Sequence, residues 1–78
     1  MKGDSARRHF RVLTRVRGGY NGTMFDVQLQ SLVSGGLVWA QTFTDEKQAR
    51  TFERALEDDL DELDDAAFRR KHSVPLST

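Results

Sequence analysis

The sequence predicts an α+β chain, a three-stranded antiparallel β-meander followed by one long C-terminal helix. Three observations carry that prediction. Two stretches near the N-terminus alternate apolar and polar residues with period two. Short Gly-rich connections separate three strand-like runs. A single apolar stripe with helical spacing then occupies the C-terminal half.

Phe10 to Arg17 alternates, with Phe10, Val12, Thr14 and Val16 on one face and Arg11, Leu13, Arg15 and Arg17 on the other. Period-two alternation rich in β-branched residues predicts a half-buried strand over 10–17. Gly18-Gly19-Tyr20-Asn21-Gly22 is the strongest turn signal, because glycine and asparagine tolerate the positive φ of tight hairpins. A second strand is expected over 24–33, with Phe25, Val27 and Leu29 facing one way and Asp26, Gln28 and Gln30 the other. Its alternation slips at Ser31-Leu32-Val33, which marks a bulge or the strand's end. Ser34-Gly35-Gly36 predicts another turn, and Leu37 to Phe43 the third strand. Connections this short impose antiparallel neighbours, since a parallel crossover needs about a dozen residues or more.

Asp45 can cap the first turn of a helix, with Gln48 in the reciprocal capping-box position. Ala49, Phe52, Leu56, Leu60, Leu63 and Ala67 then form one stripe. Arg69, Arg70 and Lys71 lie where cations complement the helix dipole. The expected core comprises Val12, Val16, Phe25, Val27, Leu29, Trp39, Phe43, Ala49, Phe52 and Leu56. An uninterrupted helix from Asp45 to about Lys71 is roughly 40 Å long, whereas the strands span about 23–33 Å. Leu60, Leu63 and Ala67 are therefore expected to overhang the sheet and form a dimer interface. The competing arrangement is a break near Asp64-Asp65 that folds the last turns back.

The chain has 78 residues, which fits one domain, here residues 10–71 with flexible tails at 1–9 and 72–78. A chain of this size buries only roughly 60–65% of its unfolded surface. It has no cysteine, hence no disulfide and no thiolate metal site. Association is a common remedy for such small unstapled chains. Formal net charge is zero but polarised. Residues 1–20 hold six basic groups against one acidic, and residues 45–65 hold ten acidic against three basic. That polarity suits a second copy or a polyanion. No run approaches the roughly 20 apolar residues of a membrane span. The positive N-terminus has no apolar run behind it, so it does not read as a signal peptide, and a cytoplasmic location is expected.

No pattern for catalysis emerges, and neither a cofactor nor a small-molecule substrate is expected. His9 and His72 stand at opposite ends, no local arrangement orders a triad, and neither Gly-Gly pair opens a helix that could hold phosphate. The acidic run from Asp58 to Asp65 lacks the glycine and alternating ligands of an EF-hand loop. Its leucines at helical spacing make it a solvated helix face. The expected function is a non-catalytic interaction module. Its homodimer assembles through the acidic helix and binds a protein partner. The alternative is nucleic-acid binding on the sheet face away from the helix, through Arg11, Leu13, Arg15, Arg17, Gln28 and Gln30, beside Met24, Val38, Ala40 and Thr42.

The stretch from Leu37 to Phe52 resembles the last-strand-to-helix segment of two related families: the arm-binding N-terminal domains of tyrosine integrases and the ethylene-response-factor type of plant DNA-binding domain. Both run three strands then a helix, with a phenylalanine ending the last strand and an alanine six residues on, here Phe43 and Ala49. The integrase type adds an aromatic nine residues on, here Phe52. These positions seat a helix on a sheet. The resemblance implies DNA contact by basic and aromatic residues on the open sheet face, where Arg11, Arg15 and Arg17 match in kind. Asp26, Gln28 and Gln30 depart from the pattern on the second strand.

Overall fold

The computed structural model describes residues 5–20 and 22–75. Residues 1–4 and 76–78 of the expected tails, and Asn21 of the expected turn, lie outside the described residues. A 3-10 turn at Ala6–Arg8 leads into strands β1 (Phe10–Gly19), β2 (Gly22–Ser31) and β3 (Leu37–Phe43), then helices α1 (Glu46–Glu62) and α2 (Asp65–Lys71). The sheet is antiparallel in the order β1-β2-β3.

Each turn has a local cause. Gly19 pairs with Gly22, closing a tight hairpin in which Gly22 takes a positive φ of 101°. Strand β2 stops at Ser31 because its buried hydroxyl accepts hydrogen bonds from the backbone N–H groups of Val33 and Ser34, both at 3.2 Å. Such side-chain bonds offer the backbone an alternative to the ladder. Gly35 completes this turn with φ 77°. The slip expected at 31–33 is thus the strand's end. The bulge lies elsewhere, in β3, where register shifts opposite Leu29 and Gln30. Leu37 pairs with Gln30 and Trp39 with Leu29, which leaves Val38 as the extra residue. Val38 packs with Trp39 against the core and does not join the open face as strict alternation predicts.

The single long helix is two helices. Asp45 caps α1 by accepting from the Lys47 N–H at 2.9 Å. The first helix ends at Leu63, whose backbone is extended, and Asp64 then caps α2, its carboxylate accepting from the Ala67 N–H at 2.8 Å. An unbroken helix would carry Asp58 to Asp65 through its middle without benefit. A break places Asp64 and Asp65 at a new N-terminus, where carboxylates are stabilised by the helix dipole, and leaves Arg69, Arg70 and Lys71 at a C-terminus. The break also lets Phe68 return to the sheet, its ring 5.4 Å from that of Phe10 and nearly parallel to it.

The core is one cluster. Val27 and Leu29 meet Ala49 and Leu56, with Val12, Phe25, Val38, Trp39, Phe43 and Phe52 packed around them. Ala6, Phe10, Leu60, Phe68 and Val74 belong to the same cluster and carry it from the start of β1 to α2 and the residues after it. Leu60 does not overhang; it is fully buried, and Leu63 and Ala67 are half-buried. Val16, expected in the core, is 64% exposed, because α1 leaves the β1 end of the sheet uncovered there.

Residues 5–9, expected in a loose tail, strap the helix junction. The Ala6 N–H donates to the Leu63 carbonyl at 2.8 Å, one of the otherwise unpaired carbonyls at the end of α1. Arg7 donates to the Glu57 carboxylate and carbonyl, both at 3.1 Å, and to Asp61. The C-terminal side is held likewise. Arg69, nearly buried, bonds Asp65 at 2.7 Å and the Pro75 carbonyl at 2.6 Å and lies over the Phe10 ring.

Candidate nucleic-acid interface

With helix and aromatic residues gathered on one side, the opposite face of the sheet is open. Directly paired residues share a face, so the register fixes its rows. Arg11 stands beside Gln30 and Leu37, Leu13 beside Gln28 and Ala40, Arg15 beside Asp26 and Thr42, and Arg17 beside Met24. Every residue expected for a nucleic-acid or partner face, namely Arg11, Leu13, Arg15, Arg17, Gln28 and Gln30, comes together here. The period of two in β1 and β2 suffices to place them, because neither strand is interrupted where they pair.

Contacts divide the three arginines. Arg11 donates to the Gln30 side-chain carbonyl at 2.9 Å, and Gln30 reaches Gln28 at 3.5 Å. Arg17 donates twice to Asp26, at 2.6 and 3.1 Å, across a diagonal of the sheet. Thr42 donates to the same carboxylate at 2.7 Å. These bonds and the Arg17 charge, with Arg15 adding to them, hold the Asp26 carboxyl below the usual carboxylate range. Asp26 is thus an anion at neutral pH, fixed in the middle of the face. Arg15 makes no hydrogen bond or ion pair among the described residues, so its guanidinium retains its donors.

The face is amphipathic as well as basic. Leu13 and Leu37 are 38% and 57% exposed there, and both flank the Arg11–Gln30 pair. Sequence reasoning recognised Asp26 only as a departure from a basic pattern. Its role as the acceptor that organises Arg17 and Thr42 depends on cross-strand register, which spacing within one strand does not contain.

The other expected interface, Leu60, Leu63 and Ala67, forms no exposed stripe, since Leu60 lies in the chain's own core. Instead, an acidic patch on α1 is satisfied within the chain. Asp59 accepts from Lys71 at 3.1 Å and lies 2.9 Å from Nε2 of His72. His72 in turn packs against the Phe68 ring at 4.5 Å. Burial is the largest influence on the Asp59 carboxyl and pushes its pKa up, but the bonds and charges of Lys71 and His72 together outweigh it and bring the group below its ordinary value. Among the described residues no cluster of three or more His, Asp or Glu side chains is arranged to hold a metal ion, and no helix is long and apolar enough to cross a membrane. Comparison of the chain with protein families, with curated proteins and with solved structures gives no match.

Proposed function

We propose that this chain is a non-catalytic binding module whose helix-free sheet face docks duplex nucleic acid. The observation that carries the reading is Arg15, a guanidinium with no hydrogen-bonding partner among the described residues, in the centre of the open face between the held Arg11 and Arg17. Arginine suits this task because its planar fork bridges phosphate oxygens and guanine edges. Gln28 and Gln30 add groups able to pair with adenine. Arg11 and Arg17 are exposed, and their bonds to Gln30 and Asp26 set their directions before a ligand arrives. Asp26 works against affinity, since a fixed carboxylate repels phosphate.

The test is fluorescence anisotropy with a short duplex DNA at several salt concentrations. Affinity is expected to fall by about 0.9 log units per log unit of salt for each phosphate contacted. Arg15→Ala should weaken binding and lower that slope by about one contact, while the unfolding midpoint stays unchanged. Asp26→Asn should tighten binding. Absence of any anisotropy change at low salt would end the nucleic-acid reading.

A protein partner is the second reading, favoured by the exposed Leu13 and Leu37 on the same face. It predicts binding that is weakened by Leu13→Asp and is insensitive to salt.

A further inference from the structure

Strand β1 is an edge of the sheet, ten residues long, without proline and without a bulge. Among the described residues its backbone bonds join it to β2 alone. A bare edge of this length presents a row of unpaired N–H and C=O groups. Beside it, between β1 and α1, runs a groove. Val16 and Phe25 form its floor, and Ala49, Arg50, Glu53 and Arg54 form its helix wall. Val16 is the large exposed side chain of that floor. The helix runs back along β1 in the opposite direction: Ala49 and Arg50 stand near Val16, Glu53 accepts a 2.7 Å bond from the Thr14 hydroxyl, and Leu63 reaches Ala6.

We infer that this edge and groove receive a second copy of the chain, β1 against β1 in antiparallel register about a two-fold axis at Thr14. The strand and the helix place that axis independently at the same level. On the strand, pairing Thr14 with its symmetry mate sets Val16 opposite Val12 of the second copy, which covers the exposed valine. On the helix, the charges along the groove wall read Glu46, Arg50, Glu53, Arg54, Glu57, and the last four form a series that is complementary to its own reverse. An axis between Glu53 and Arg54 brings Arg54 to Glu53 of the second copy, and it brings Arg50 to its Glu57, although within the chain Arg50 already bonds Glu46 at 2.9 Å and Glu57 accepts from Arg7 at 3.1 Å. The Thr14–Glu53 hydrogen bond puts this helix midpoint beside the strand midpoint. Arg54 has no hydrogen bond or ion pair among the described residues, so its charge is available.

On the opposite face the same register sets Leu13 against Arg15 of the second copy and Arg11 against Arg17. Like charges directly opposite are unfavourable. Here Arg17 is neutralised by Asp26 and Arg11 is turned toward Gln30, which reduces the cost. The product is a six-stranded sheet with both α1 helices on one side, the long Arg and Glu side chains spanning the gap between them.

Sedimentation of the full chain across the micromolar range decides the matter. The expected species has twice the 8.9 kDa chain mass. Val16→Lys changes a side chain that is exposed in the single chain, so at concentrations where both proteins are monomeric it should leave the unfolding midpoint in place, while raising the dimer Kd by about tenfold or more. Arg54→Glu and Glu53→Arg should each weaken self-association, because each sets like charges across the axis. An equimolar mixture of the two should recover a dimer, since every cross-axis pair is then opposite in sign. A chain that is monomeric at hundreds of micromolar overturns the inference. So does a dimer indifferent to Val16→Lys, or a mixture that fails to recover association.

Discussion

Phe68 is fully buried against Phe10, whereas Val16 is mostly exposed. The core gains Phe68, which the expected set lacks, and loses Val16, which that set contains. Replacing Phe68 by alanine removes a ring from the middle of a small core and should cost about 3–5 kcal/mol, a large share of the stability available to a chain this short. Val16→Ala should change it by less than about 0.5 kcal/mol. Chemical denaturation of the two variants measures both values, and equal losses would mean that α2 is not packed as described. Phe52, half-buried between Trp39 and Phe43, should fall between them.

Titration at single residues makes a second expectation. Asp59, Asp61 and Asp26 all have carboxyls lowered below their ordinary values: Asp61 through its bond to Arg7, Asp26 through Arg17 and Thr42, Asp59 through Lys71 and His72. A lowered folded-state pKa contributes stability that is fully present above the unfolded value of about 4 and is lost as pH falls through the folded one. The unfolding midpoint should therefore decline below about pH 4. Asp59→Asn should flatten part of that decline and lower the midpoint at neutral pH. An unaltered pH profile in this variant would show that the Lys71 and His72 contacts do not form in solution.

At the scale of elements, the junction between α1 and α2 decides what the C-terminal third does. Its signals are all local: Leu63 extended, Asp64 as cap, cations at the end of α2. The same residues nevertheless fit a continuous helix by periodicity, because Leu56, Leu60, Leu63 and Ala67 lie on one stripe in either case. Periodicity leaves the two arrangements open, and burial of Phe68 selects between them. Asp64→Ala removes the cap and should cost about 1 kcal/mol. Amide exchange should then quicken through α2 more than through β2, and uniform quickening would contradict a local role. Arg7→Ala should loosen the same junction by removing its bonds to Glu57 and Asp61. The open face was more legible. Arg11, Arg15, Arg17, Gln28 and Gln30 fall where alternation places them, whereas Val38 does not, since a bulge has no signature in a seven-residue strand.

For the molecule as a whole, the N-terminal turn, the sheet and α2 share one buried cluster through Ala6, Phe10, Leu60 and Phe68. Unfolding should accordingly be a single transition. Fluorescence of Trp39, on β3, and far-UV circular dichroism, dominated by α1 and α2, should give coincident midpoints. An earlier loss of helix signal would mean that the helices come away before the sheet unfolds. Sequence by itself determined the three strands, their antiparallel order, the cap at Asp45 and the residues that β1 and β2 give the open face, because period, turn chemistry and capping are properties of neighbouring residues. Tertiary structure alone decided the helix break, the burial of Leu60, the exposure of Val16 and the Arg17–Asp26–Thr42 network. Each of these depends on which surfaces meet across the fold, and that is set by the finite length of the sheet and by the register between its strands.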